Sequence, residues 1–196
     1  MVISLAVEGA SDAAVLRRVC HAAGHQVGAE FISRGKSRLD PRIPGYNNAA
    51  RFAPWLVVRD LDHDADCAPA LIRRLLPAPA PGMCFRVPVR SIEAWLLGDR
   101  EGFAKFFGVS SAVIAPDPDS LPRPKRAVVD LAQRSAKRGI REGMVPAPGM
   151  SVEVGPEYTA LLIEFAESVW NPEAAAENSD SLKRCIRALR RLPNHP

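Results

Sequence analysis

A chain of 196 residues makes one ordinary domain, or one domain with an extension, and its 47% apolar content is enough for a core. No apolar run approaches the roughly 20 residues of a membrane span, so no membrane association is expected. The chain opens on a strand-like segment without a basic, cleavable leader, which points to a cytoplasmic protein. The net charge is only +4, but it is unevenly spread: acids crowd two short motifs and bases two other stretches. Cys20, Cys67, Cys84 and Cys185 are scattered with no Cys-x-x-Cys pair, the pattern of reduced, mostly buried thiols. His21 and His25 stand four apart, which reads as a polar helix end leading into Gly24 more readily than as a zinc pair.

In chain order, residues 2–7 read as a first strand, followed by a helix over 11–23 with Val15, Leu16, Val19, Cys20 and Ala23 on one face. Ser11 is its expected N-cap and Gly24 its stop. Residues 27–32 read as a second strand. The stretch 33–52 is polar and basic and contains Gly35, Pro41, Pro44 and Gly45, so it reads as a loop or weakly structured crossover. A buried strand over 54–58, a helix over 66–76, a strand over 83–89 and a helix over 92–97 capped by Ser91 complete the first part. Alternating strands and helices predict βαβ units and a mainly parallel sheet of about four strands. Beyond a Pro/Asp-rich linker at 116–124, helices are expected over 125–137, 157–170 and 181–192, with an irregular stretch at 139–155. The domain reading is therefore 1–115 for the α/β part and 116–196 for a helical extension packed on it.

The two acidic motifs follow the two most apolar strands. Glu8 and Asp12 stand in Val-Glu-Gly-Ala-Ser-Asp, and Asp60, Asp62 and Asp64 in Asp-Leu-Asp-His-Asp. The carboxyl edge of an open α/β sheet is where ligands bind. Crowded carboxylates there need a cation, and hard oxygen donors suit Mg²⁺ or Mn²⁺. Asp60 and Asp62 share a face if extended geometry persists. Each acid also has a plainer reading: Asp12 and Asp64 as helix-start residues, Glu8 as a strand-end carboxylate, Glu93 as a first-turn partner of the helix dipole. Basic runs are ordinarily solvated faces. Next to an acidic pocket, Arg34, Lys36, Arg38, Arg42 and Arg51, and then Lys125, Arg126, Lys137 and Arg138, fit a polyanion held by its phosphates. Arg90 is a further phosphate candidate, or the partner of a local carboxylate.

A strand ending in Glu followed by a later strand ending in Asp-x-Asp resembles the Toprim domain of topoisomerases, primases and OLD-type nucleases. Glu8 matches the Toprim glutamate, and Asp60 and Asp62 match the Asp-x-Asp pair. Glu8-x-x-x-Asp12 is similar to the Glu-x-x-x-Asp that OLD-type nucleases use for a second metal. The block Arg-Ser-Ile-Glu-Ala-Trp-Leu-Leu-Gly-Asp at 90–99, with Pro124-Lys125 and Gly-Pro-Glu-Tyr at 155–158, resembles small stand-alone Toprim-like proteins.

The resemblance implies a Toprim-like (Rossmann-like) fold and a metal-dependent nuclease or related phosphodiester-processing enzyme acting on nucleic acid. Glu8, Asp60, Asp62 and Glu93 would be catalytic, and Glu8, Asp12, Asp60, Asp62 and Asp64 would ligate Mg²⁺ or Mn²⁺. It also implies a role in prokaryotic or phage defence beside an ATPase partner, since no phosphate-binding Gly-rich Lys loop is present here. The alternative is a Toprim-like binding or regulatory subunit of an ATPase-containing complex, without turnover of its own. Tyr46 and Tyr158 are poor strand-cleaving nucleophiles, because 196 residues leave no room for a topoisomerase DNA gate.

Overall fold

The computed structural model describes residues 1–193. Four strands, β1 (Val2–Val7), β2 (Gln26–Ile32), β3 (Trp55–Val58) and β4 (Met83–Arg86), form one all-parallel sheet in the order β2-β1-β3-β4. The alternation of apolar side chains explains the layers. Ile3, Leu5, Val7, Leu56, Val58 and Cys84 enter one apolar cluster, whereas Ala6, Trp55, Val57, Met83 and Phe85 enter a second on the opposite face.

On the first face lie α1 (Ala10–Ala22), α5 (Ile92–Gly98), α6 (Arg100–Phe107), α7 (Pro124–Gln133), α8 (Arg138–Met144), α9 (Tyr158–Ser168), α10 (Pro172–Asn178) and α11 (Asp180–Leu189). On the second lie α2 (Lys36–Leu39), α3 (Ile43–Ala49) and α4 (Ala68–Leu75). The expected boundary at residues 115/116 falls inside one continuous core: Val15 and Leu16 of α1, Phe103 and Phe107 of α6, and Phe165 of α9 share a cluster. The last three residues of the expected 116–196 extension lie outside the described residues.

Several elements differ from the sequence reading. Residues 33–52, read as a loop, are mostly helical: α2, a 3₁₀ turn at Asp40–Arg42, and α3. Leu39, Ile43, Tyr46 and Ala50 recur at helical spacing and are buried, while Pro41 and Pro44 sit in first turns, where a missing N–H costs nothing. Helix α8 occupies the start of the stretch read as irregular. Helices α6 and α10 were not foreseen, although Asn171 caps α10 and Pro172 sits in its first turn. The 116–124 linker is pinned, since Ser179 Oγ and the Ser181 amide donate to Asp119 at 2.9 and 2.8 Å. Strand β4 stops at Arg86 because Pro88 has no N–H to donate.

The edge is nonetheless knitted beyond the sheet: the Arg59, Leu61 and Asp62 amides donate to the carbonyls of Arg86, Pro88 and Arg90. Helix α1 starts at Gly9, whose amide donates to Asp12 Oδ2 at 2.8 Å, so Asp12 rather than Ser11 closes this end. Gly24, at φ 85°, stops the helix as expected. Among the described residues no helix is long and apolar enough to cross a membrane.

Candidate active site

Strand β1 pairs with β2 on one side and β3 on the other, and β4 lies beyond β3. The chain therefore departs in opposite directions from β1 and from β3, and the crevice between their carboxyl ends is a topological switch point. Glu8 directly follows β1, and Asp60 follows β3 by two residues. Asp12 comes from the first turn of α1 and Glu93 from the first turn of α5. The two strands and two helix starts gather the four carboxylates.

Backbone hydrogen bonds fix their positions. The Asp60 amide donates to Glu8 Oε1 at 3.1 Å, and the Ile92 amide at the start of α5 donates to Asp60 Oδ1 at 3.0 Å. Glu93 is 4% exposed; it accepts from Ser91 Oγ at 2.5 Å and from the Tyr158 hydroxyl at 3.1 Å. Ser91 stands at the N-cap as expected, but its hydroxyl serves Glu93 instead of the helix amides.

Burial and mutual repulsion dominate the electrostatics. Desolvation pushes Glu8 up to about 7, against the opposing pull of the Asp60 amide and Arg59. Asp12 is pushed up to about 6 by burial, partly offset by the Gly9 amide. Asp60 is held well above the usual carboxylate range, first by burial and then by repulsion from Asp12, Glu93, Glu8 and Asp62. Lys125 is the nearest cation, 3.9 Å from Glu93 Oε1, and Glu93 raises its affinity for the proton.

Asp62 and Asp64 are handled differently. The chain leaves extended geometry after Val58, and Asp62 adopts a left-handed φ of 49°, which Asp tolerates better than most residues. The expected shared face of Asp60 and Asp62 is thereby lost. Lys36 Nζ donates to Asp62 Oδ2 at 2.9 Å and to Asp64 Oδ2 at 2.8 Å. Arg59, 2% exposed, contacts Asp64 Oδ2 at 2.5 Å and donates to both oxygens of Asp40 at 3.2 Å. The Lys36 and Arg59 bonds hold Asp64 below its ordinary range.

A cavity of about 600 Å³ opens beside Asp60 and Asp62, and its rim carries His63, Arg90, Arg123, Lys125, Arg126 and Glu153. Arg90 spends one guanidinium nitrogen on the carbonyls of Asp62 and Ala65, at 3.0 and 3.3 Å. Lys137 and Arg138 are not on this rim. Lys137 Nζ donates to the carbonyls of Lys105 and Phe106 at the end of α6, and Arg138 pairs with Glu142 at 2.7 Å.

Among the described residues, no three Asp, Glu, His or Cys side chains stand ready-grouped to hold an ion. The buried group nevertheless has the donor chemistry of a hard-cation site: no hydrogen bond among the described residues reaches Glu8 Oε2 or Asp60 Oδ2. Asp62 and Asp64 differ in that one oxygen of each is already bonded to a side-chain cation, the Lys36 ammonium. Three of the four thiols, Cys20, Cys84 and Cys185, are buried and take no part, and burial pushes Cys20 up to about 12; Cys67 is exposed.

Sequence reasoning missed Arg59 and the particular role of Lys36. Tyr158 was legible only inside the family block, and nothing local pointed to its bond with Glu93. Comparison with family models, curated proteins and solved structures finds no match to this chain.

Proposed function

We propose that this protein is a Mg²⁺- or Mn²⁺-dependent phosphodiester hydrolase acting on nucleic acid. The observation that carries the reading is Asp60: a half-buried, desolvated carboxylate, crowded by Glu8, Asp12 and Glu93, at a switch-point crevice that opens into a basic-rimmed cavity. Such a concentration of like charge at the ligand-binding edge is stable when a cation joins it. The similarity of Glu8 and Asp60 to the Toprim motif supports the same reading, and the pairing of Asp62 with Lys36 is a departure from it.

Glu8, Asp12 and Asp60 would hold the cation, which when bound supplies charge neutralisation at the scissile phosphate and a more acidic water. Arg90, Arg123, Lys125 and Arg126 bind the phosphates on either side without reading sequence. Glu93, fixed by Ser91 and Tyr158, holds Lys125 at the cavity mouth. The family resemblance adds an ATPase partner in defence, for which co-purification with a nucleotide-binding protein is the test.

The second reading, a binding subunit without turnover, draws on the engagement of Asp62 and Asp64 by Lys36 and Arg59. Incubation of labelled DNA and RNA strands with the protein and Mn²⁺ or Mg²⁺ separates the two. Cleavage that chelation stops and Asp60→Asn abolishes is expected. Nucleic-acid binding with no cleavage under either metal favours the second reading.

A further inference from the structure

The acidic edge is divided, and the division implies a stoichiometry. After β3 the carboxylates fall into two sets. Glu8 and Asp12 repel Asp60, and the close partners of the three are the backbone amides of Asp60, Gly9 and Ile92. Asp40, Asp62 and Asp64 surround two side-chain cations. Lys36 Nζ lies 2.9 and 2.8 Å from Asp62 and Asp64, and Arg59 lies 2.5 Å from Asp64 and 3.2 Å from Asp40. Arg59 also approaches Asp62 at 3.8 Å and Glu8 at 4.0 Å, so its guanidinium stands at the border between the sets.

We infer that Lys36 and Arg59 are built-in counter-ions that take the place of a second divalent cation, so that the site binds one ion and Asp62 is not among its ligands. This inference rests on the proposed metal-dependent reading. A cation entering beside Asp62 and Asp64 must displace an ammonium already bonded to both carboxylates and meet the charge of a guanidinium that is 2% exposed. Arg59 is fixed through Nε and one terminal nitrogen by Asp40, with Asp64 on that same nitrogen, and through its other terminal nitrogen by the Asp60 carbonyl, so every arm of the guanidinium is engaged. Lys36 is different. Its side chain is 41% exposed and its stem is flexible, so it is the removable half of the arrangement.

The test is Mn²⁺ titration of the purified chain, followed by the loss of the free-ion paramagnetic resonance signal, with circular dichroism to verify folding of each variant. The wild-type chain is expected to bind one ion. Asp60→Asn should lose it, while Asp62→Asn should retain it within about threefold, as befits a half-exposed carboxylate engaged in a solvent-screened pair. Lys36→Met should admit a second, weaker ion. Two ions of similar affinity in the wild type, or equal losses in Asp62→Asn and Asp60→Asn, would overturn the inference while leaving metal dependence intact. A single ion in Lys36→Met would remove Lys36 from it. No bound ion in the wild type would overturn the metal-dependent reading itself.

Discussion

Two sets of carboxylates flank the same strand end, and opposite means hold them in place. Around Arg59, three aspartates meet two side-chain cations, and most of the charge is compensated within the protein. Around Asp60, four carboxylates share a buried crevice with Lys125 at its edge, and the balance stays negative. The first set is a structural clamp joining α2 and the Asp40–Arg42 turn to β3. The second keeps its charge for something that arrives from outside. Buried charge left uncompensated is expensive, which is why perturbed carboxylates concentrate at functional sites.

The largest effect should come from neutralising the second set. Asp60→Asn keeps an oxygen for the Ile92 amide and relieves repulsion from Glu8, Asp12 and Glu93, so the fold should survive while phosphodiester cleavage disappears. A chelation-sensitive cleavage assay run beside a thermal melt checks both halves of that statement. Arg59→Met attacks the other set and should do the reverse. Removing a buried cation strands Asp40 and leaves Asp64 to Lys36 alone, a loss of about 3–5 kcal/mol in denaturant unfolding.

Acidity distinguishes the two sets next. Burial raises Glu8 from 4.5 to about 7 and Asp12 from 3.8 to about 6, so the folded chain binds these protons more tightly than the unfolded chain does. Their contribution is fully present at low pH and is lost as pH rises through that window. Asp64, lowered by Lys36 and Arg59, acts in the opposite sense and only below its ordinary range. In chelator, the melting temperature should therefore fall as pH rises from about 4.5 to about 7. Glu8→Gln should flatten that fall, and Asp62→Asn, which removes only a minor repulsion from Glu8, should change it much less.

How much of this was readable beforehand depends on how local the signal is. The apolar runs of β1 and β3 placed Glu8 and Asp60 at a sheet edge, and the first-turn positions of Asp12 and Glu93 could be read from their neighbours. The separation of Asp62 from Asp60 could not, because it turns on one backbone angle past the end of β3. Arg59 stands between the apolar β3 and the acidic run at 60–64, and only the fold brings Asp40 and Lys36 to it. Helices α2 and α3 were hidden by Gly35, Pro41, Pro44 and Gly45, although Leu39, Ile43 and Tyr46 carried the stripe that the second core needed.

The smallest effect separates two basic segments that look alike in sequence. Lys125 and Arg126 rim the cavity, whereas Lys137 closes the end of α6 and Arg138 pairs along its own helix. Alanine at both residues of the first pair should reduce the log–log salt slope of nucleic-acid binding by up to about 1.8, at roughly 0.9 for each phosphate contact on duplex DNA. The same change at Lys137 and Arg138 should leave the slope in place. Filter binding across a salt series measures both.

The most direct measurement is anomalous diffraction from crystals of the protein grown with Mn²⁺. A single peak bounded by Glu8, Asp12 and Asp60 is the predicted result. No peak at the switch point, or a peak seated on Asp62 and Asp64 with Lys36 displaced, would contradict the account.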